Sequence, residues 1–477
     1  MSEDPPAWRS DLYLAVLHAD QPRVLLLRDE AAWGLPHAAL EGSVWLDTGC
    51  PTIIATARQQ LGIEATVLDL IEAKVDQGAR RVEAVYALEQ RGRGWAPPRG
   101  ARWVGREELA GLGLARPGHR AAVERWLLAI ERGDVSAESR PWTRPGWFAS
   151  AAAWVEGELA QLGYALSGPV EQVKAWGLSC ILRVRTGVGE VYFKAVPSPA
   201  DRAGGAGGGR RGLPLLFVNE PVLLRTLAPG HPDLIPSPLA IDAGRGWMLL
   251  PALGRLLAEE EDRGAAAAVL AHVARLQRAV AGRLDALFAA GCLDRRLAVL
   301  ATQIGPLLDD LDAVELLDAA ERERVRASGP MLHELCARLA GYAVPETLVH
   351  GDLHSNNVAR RPGGTGGHVV FDWTDACVAH PFFDLVTFLH EALGGSEDPP
   401  ELRARLQDAY LAQWTAYEPP ERVAEAFALA EPLGALHQAV SYRHLMANLT
   451  PAWRKDLWGA TAHWLRIMLR ALPAPPA

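Results

Sequence analysis

Hydrophobic and polar positions change period several times along the chain, and each change marks an element. Leu12-Tyr-Leu-Ala-Val-Leu17 and Arg23-Val-Leu-Leu-Leu27 are apolar runs parted by His-Ala-Asp-Gln-Pro, which predicts a β-hairpin. Thr52 to Leu61 has helical spacing that stops at Gly62, and Ala121 to Ile130 is a second, amphipathic helix. Val82 to Leu88 reads as a strand between them. Residues 135–146 lose all period, and their prolines and polar residues predict a linker. A helix is expected from about Ala151 to Leu162, then two strands within Val173 to Val184 around a turn at Gly177, and another strand at Val191 to Val196. Asn219 to Leu227 is helical, with Asn219 as cap and Pro221 in the first turn. Trp247-Met-Leu-Leu-Pro251 is a strand entering a turn. Beyond Gly254 helical spacing dominates, at Ala265–Gln277, Arg322–Leu339, Glu401–Trp414 and Ala460–Leu472, and no repeat of fixed period is visible.

One interruption of that helical half carries chemistry. Leu348-Val-His-Gly-Asp-Leu-His-Ser-Asn-Asn-Val358 puts Asp352 in a tight loop after a short apolar run and Asn357 five residues on. A second run, His368-Val-Val-Phe371, delivers Asp372. Two short strands joined through Pro362-Gly-Gly-Thr-Gly-Gly would bring Asp352, Asn357 and Asp372 to one end. Two carboxylates and an amide oxygen suit Mg²⁺, which keeps several waters and binds substrate phosphates beside a few protein groups. Phosphoryl transfer needs such a metal and a carboxylate to orient the acceptor's hydroxyl proton. An ordinary hairpin with polar tips has the same local pattern.

His350-Gly-Asp-Leu-His-Ser-Asn-Asn357, Phe371-Asp-Trp373 and His380-Pro-Phe-Phe-Asp-Leu385, in that order, resemble the aminoglycoside phosphotransferase and choline kinase-like family. Ser355-Asn356 stands where many members carry Pro-Gly. The resemblance implies a bilobal protein-kinase-like fold of α+β class, ATP or another nucleoside triphosphate as donor, and Mg²⁺. It further implies that Asp352 is the catalytic base, that Asn357 and Asp372 hold magnesium, and that Asp384 braces the loop through backbone amides around His350 and Gly351. His354 either reaches a phosphate or supports the loop. Gly177 and Ser179 match the family's phosphate-covering loop, and backbone near Leu249 and Leu250 would meet adenine. A hairpin turn and a buried strand give those two patterns equally well.

Lys194 is a sharper signal. It lies among strand formers, where a long cation is disfavoured unless paired or at an edge. The chain has four lysines (Lys74, Lys174, Lys194 and Lys455) against 44 arginines, so a drift toward arginine has spared this position. A compact ammonium and a planar guanidinium are not interchangeable around phosphates. Lys194 is therefore expected on the donor's α- and β-phosphates, oriented by Glu220. The glycine-rich, basic stretch from Ala200 to Pro214 lacks the Gly-Lys-Ser/Thr ending of a phosphate loop and is expected to be a flexible connection.

The N-terminal elements follow the order of the Nudix fold, an α/β architecture, with Gly34-Leu-Pro36, Arg58-Gln-Gln-Leu-Gly-Ile63 and Arg102-Trp-Val-Gly-Arg-Glu-Glu-Leu109 as resembling fragments. That family's metal-binding glutamate positions here hold Thr56, Gln59 and Gln60, poor substitutes for carboxylates around magnesium. The expected organisation is a Nudix-like domain without hydrolase activity at 1–134, a linker at 135–146, a kinase N-lobe at 147–252 and a C-lobe at 253–477.

Composition narrows the reading. Apolar residues make up 49% and charged residues 22%, which is a globular balance. No charge-free apolar run approaches the roughly 18 residues of a membrane span, and Met1-Ser-Glu-Asp-Pro-Pro has no export pattern. Five scattered cysteines with no CxxC spacing read as reduced thiols, so a cytoplasmic protein is expected. From residue 253 onward 29 acidic residues face 21 basic ones, so nearly all of the net charge of −9 lies in the second half. That excludes a basic nucleic-acid footprint and is compatible with a small cationic acceptor such as an aminoglycoside, amino sugar or amino alcohol. Two other classes stay open: a nucleotide-binding pseudokinase whose N-terminal domain recruits a partner, and a Nudix hydrolase with an accessory kinase-like domain. The joint presence of Lys194, Glu220, Asp352, Asn357 and Asp372 argues against the first, and the lost glutamates against the second.

Overall fold

The computed structural model describes residues 7–29, 32–41, 49–92, 94–133, 140–198, 216–260, 264–362, 367–391 and 400–473. The glycine-rich stretch from Ala200 to Pro214, residues 135–139 of the expected 135–146 linker and the centre of the Pro362-Gly-Gly-Thr-Gly-Gly turn lie outside these residues. The architecture is mixed α+β, and the chain divides into two compact units. The first takes Met1–Leu215, Gly244–Leu249 and Met446–Leu457, and the second Leu216–Ala243, Leu250–Leu445 and Trp458–Ala477. The 135–146 stretch thus falls inside the first unit. No helix among the described residues is long and apolar enough to cross a membrane.

The first unit is built on a seven-stranded sheet. Its central path runs Ala32–Gly34, Arg23–Asp29, Arg9–Leu17, Arg81–Gln90, Ala65–Asp76, with His37–Glu41 also on Arg9–Leu17 and Ala101–Gly105 on Arg23–Asp29. The expected hairpin forms, with Leu17 opposite Val24. Arg9–Leu17 lies parallel to Arg81–Gln90, a pairing that needs a crossover and leaves no local sequence signal. Both faces of Arg9–Leu17 are covered, because every residue from Ser10 to Leu17 is buried. Helix His119–Arg132 covers one face through Val123, Trp126 and Leu127. Helix Cys50–Leu61 starts with Pro51 in its first turn and ends at Gly62, whose φ of 66° lets its N–H reach Arg58 O.

Helix Cys50–Leu61 also packs against strand Glu171–Ala175 of a second sheet, ordered Trp247–Pro251, Gly189–Ala195, Cys180–Thr186, Glu171–Ala175. Helix Trp147–Gln161 lays Trp147 and Trp154 against Phe193 and Trp247 of that sheet. One buried side chain bridges the two sheets directly. Strand Ala65–Asp76 shifts register between Val67 and Asp69, and Gln172 fills the gap: its Oε1 accepts from Val67 N at 2.8 Å and its Nε2 donates to Val67 O at 2.9 Å. An amide is the side chain that can satisfy both groups of a peptide at once.

A late segment completes this unit. Trp453 Nε1 donates to Asp69 Oδ1 at 2.8 Å, and buried Arg140 donates to Asn448 O at 2.9 Å and to Gly177 O at 3.0 Å. Leu449 and Trp453 lie over Gly177, where a Cβ would come within 2.2 Å of Leu449 Cδ2.

The second unit is mostly helical. Gly264–Val280, Pro400–Leu411 and Ala460–Ala471 lie where the apolar spacing predicts them. The expected Arg322–Leu339 helix is two, Ala319–Ala327 and Gly329–Leu339, because Pro330 cannot donate a helical hydrogen bond and opens a new first turn. Asn219 precedes helix Glu220–Leu227 without capping it, since its side chain donates instead to Ala376 O at 2.9 Å. Helix Pro420–Asn448, 29 residues long, has no clear apolar stripe and escapes the periodicity reading; much of its middle is buried all round. Two small sheets interrupt the helices. Thr347–Val349 pairs antiparallel with Cys377–Ala379, and Val358–Arg360 with His368–Val370.

Candidate active site

The Asp352 loop begins where strand Thr347–Val349 ends. Gly351 has φ +85°, and a Cβ there would come within 2.5 Å of Asp375 O. Only glycine meets both demands, and it turns the chain so that Asp352 leaves the strand half-exposed. A turn at Ser355–Asn357 then feeds the Val358–Arg360 strand. The hairpin partner His368–Val370 leads to Asp372, whose φ of 62° and ψ of 55° are left-handed. That conformation costs a non-glycine residue free energy, though aspartate tolerates it better than most.

Two side chains meet at the Asp352 carboxylate. Asn357 Nδ2 is 3.1 Å and His354 Nε2 3.3 Å from Asp352 Oδ2, and Asn357 Nδ2 also donates to Asp352 O at 2.8 Å. With its amide nitrogen turned to Asp352, Asn357 keeps its Oδ1 without a hydrogen bond among the described residues. That oxygen fits a hard cation, as does the Asp372 carboxylate, whose Oδ1 accepts from Thr374 Oγ1 at 2.9 Å. Asn357 and Asp372 are thus groups that could hold a divalent cation such as magnesium. Asp375 stands behind them: burial first, then the charges of Asp352 and Asp372, push its carboxyl up to about 8. A local excess of negative charge is what a divalent cation would relieve.

Beneath the loop lies a buried polar platform. Asp384, in the first turn of helix Phe382–Glu391, accepts from His350 N at 2.8 Å, Gly351 N at 3.0 Å and Gln277 Nε2 at 2.9 Å. Burial pushes the Asp384 carboxyl up to about 7, and the two backbone N–H groups pull against it. Tyr410 Oη bonds Gln277 Oε1 and Pro381 O, Thr347 Oγ1 donates to Gln277 O at 2.7 Å, and Gln438 Nε2 donates to Gly351 O at 2.6 Å. His350 is fully buried, and burial lowers its affinity for a second proton. Its Nε2 lies 2.9 Å from Phe371 O, and its Nδ1 accepts from Asp352 N at 3.3 Å, so the ring ties the two strand ends together. Gln277, Tyr410 and Gln438 carry no motif; each looks like an isolated polar residue in a helix.

The remaining expected residues divide between the units. In the second, Glu220 is 1% exposed and accepts from Trp373 N at 3.0 Å, which anchors the peptide after Asp372. Leu250 is also buried there. In the first, Lys194 is buried on strand Gly189–Ala195 opposite Ile181, and Leu249 is fully buried. Gly177 and Ser179 form a turn in which Trp176 Nε1 donates to Ser179 Oγ at 2.7 Å and Trp176 N to Ser179 O at 3.0 Å. The chain's own residues cover that turn.

The chain is an enzyme of the phosphotransferase kind. Residues 219–425 match the APH family, described as the phosphotransferase enzyme family. That segment contains Glu220, Asp352, Asn357, Asp372 and Asp384. Similar solved structures include macrolide 2'-phosphotransferase from Brachybacterium faecium, at 21% identity over 65% of this chain and 97% of that one, TM-score 0.41. Choline kinase from Cryptosporidium parvum Iowa II is 12% identical over 68% of this chain and 91% of that one, TM-score 0.45. An aminoglycoside-3'-phosphotransferase of type VIII is 25% identical over 58% of this chain and 98% of that one, TM-score 0.35. No curated protein matches the sequence.

Proposed function

We propose that the protein is a small-molecule kinase of bilobal, protein-kinase-like fold that moves the γ-phosphate of ATP, with Mg²⁺, to a hydroxyl of a small cationic acceptor. The observation that carries the reading is the Asp352 carboxylate, held by Asn357 and His354 on a loop fixed by Asp384. Asp352 orients the acceptor hydroxyl and takes its proton as the new O–P bond forms and the bond to the departing diphosphate breaks. Magnesium, when bound, neutralises charge on the phosphates. Asn357 and Asp372 would hold it, Lys194 is the group for the α- and β-phosphates, Glu220 is the acidic residue expected to serve it, and backbone at Leu249 and Leu250 would meet the base. Gly177 and Ser179 form the turn that would cover the phosphates, with Leu449 and Trp453 packed over Gly177.

The acceptor is drawn from the aminoglycosides, amino sugars and amino alcohols. The acidic balance of the second half supports a cation there. Residues 1–134 are read as a Nudix-like domain that has lost hydrolysis, on the order of its elements and on Thr56, Gln59 and Gln60. The protein works in the cytoplasm, without nucleic acid or membrane as partner. The test is an ATP-consumption screen of purified protein with Mg²⁺ against aminoglycosides, macrolides, choline, ethanolamine and nucleosides. Turnover with one hydroxyl compound, abolished by EDTA, is expected. Nucleotide binding with no turnover across the panel would instead favour a pseudokinase.

A further inference from the structure

The seven-stranded sheet of the first unit carries a cavity of about 330 Å³ that the kinase reading does not use. Leu26, Leu35, Leu109 and Val123 form its apolar wall. Its polar groups are Tyr13, His37, Gln60, Arg116 and His119, and no carboxylate among the described residues lines it. Two carboxylates stand behind the histidines instead. Asp11 Oδ1 is 3.2 Å from His37 Nε2, and Glu83 Oε1 is 3.2 Å from His119 Nε2. Each carboxylate has a second cationic partner: Asp11 binds Arg81 Nε at 2.5 Å, and Glu83 lies 3.6 Å from Lys74 Nζ. The rings are further fixed by Tyr13, which stacks on His37 at 4.5 Å and meets His119 edge-on at 4.3 Å.

The donors facing the cavity are largely unspent. Arg116 is exposed at the rim and donates through Nε to Tyr13 Oη at 3.2 Å. Its two terminal nitrogens have no ion pair among the described residues, and a guanidinium fork is well suited to an oxyanion. The Gln60 amide, in the last turn of helix Cys50–Leu61, likewise makes no hydrogen bond among the described residues. Thr56, one turn earlier, is buried and donates to Thr52 O at 2.9 Å, so this helix brings no metal-gathering group toward the cavity. No cluster of three or more histidine, cysteine or acidic residues able to hold a metal exists among the described residues.

We infer that this cavity binds, without a metal and without cleaving it, a small molecule made of one planar ring system and one acidic group. The ring takes the apolar wall, and the acid takes Arg116, with the fixed histidines and Gln60 as further polar contacts. A volume near the lower end of the range for small-molecule pockets leaves room for one ring system and its acid, not for a long chain. Aromatic carboxylates and nucleoside monophosphates share this chemistry. The inference does not rest on the proposed kinase activity.

Calorimetric titration of the full chain in EDTA, with 4-hydroxybenzoate and with uridine monophosphate, tests it and separates the two sources. One of the two should bind at one site per chain, and neutral 4-hydroxybenzamide should bind about tenfold more weakly or worse. Arg116→Ala should weaken the acidic probe by about tenfold or more, the worth of one charge-assisted hydrogen bond. Gln60→Glu, which leaves Arg116 in place and puts a carboxylate at the rim, should weaken it too. Asp372→Ala should leave the binding unchanged. Failure of both acidic probes to bind at millimolar concentration would overturn the inference. So would binding that survives Arg116→Ala, or that is lost in Asp372→Ala.

Discussion

Asp352 shares one carboxylate oxygen with Asn357 and His354, so its replacement by an isostere should change chemistry more than structure. Asp352→Asn is expected to lower kcat by about 10²–10⁴-fold, the usual worth of general-base assistance. Steady-state kinetics beside calorimetric nucleotide titration checks this: nucleotide affinity and melting temperature should stay near those of the parent. Asp372→Ala should weaken Mg-nucleotide binding more than Asn357→Ala does, because a carboxylate brings charge and an amide only a dipole. Equal affinities for both variants and the parent, with Mg²⁺ present, would remove both from the metal site. Gly351→Ala is expected to be harsher than either. It would place a Cβ 2.5 Å from Asp375 O and add about 1–2 kcal/mol of left-handed strain, so soluble yield and activity should fall together. These positions are legible in the sequence because His350-Gly-Asp352, Asn357 and Asp372 lie within 23 consecutive residues and their types state their chemistry. Gln277 and Tyr410 are not legible. Gln277 meets its acceptor 107 residues away and Tyr410 meets Gln277 across 133, and no local pattern encodes such a pairing.

At the scale of elements, helix Phe382–Glu391 acts as the floor on which the loop is set. Its first-turn carboxylate serves three buried donors at once, and those donors belong to the loop and to helix Gly264–Val280. Asp384→Ala leaves them unpaired at a cost of about 1–3 kcal/mol each. Thermal melting and activity should therefore drop together, whereas Asp352→Ala should lose activity and melt nearly as the parent does. An Asp384→Ala variant with unchanged melting and no turnover would move Asp384 into the chemistry. Periodicity found the helices that present one apolar stripe to a neighbour. It missed Pro420–Asn448, which is buried all round through much of its length, and it fused two helices across Gly329-Pro330, where the apolar spacing continues through a break made by backbone chemistry. Strand Ala65–Asp76 escaped for another reason. Ile71 to Asp76 alternates apolar and charged residues as a half-buried strand does, but the strand's register is broken by a shift that Gln172 fills from 105 residues away.

For the whole molecule, the telling contact is Trp453 on Asp69. Burial pushes the Asp69 carboxyl up to about 6, while the Trp453 and Leu70 N–H groups pull the other way. The folded chain then keeps a proton between 3.8 and about 6 that the unfolded chain has lost, so this group's stabilising contribution is full at low pH and disappears as pH rises through about 6. Asp69→Asn, which keeps the oxygen acceptor and cannot ionise, should melt with a flatter pH dependence from pH 4 to 7. Melting curves that run parallel for the two proteins would show that Asp69 does not titrate in that window. The division into two units could not be read from the chain, because a composition break at 135–146 marks a connection without telling which surfaces close around it. Synthesis makes the same point in time. Trp453 emerges 384 residues after Asp69, roughly 20–80 s later at about 5–20 residues per second. Until then the nascent N-terminal sheets have left the ribosome with Gly177 uncovered and Asp69 without its indole.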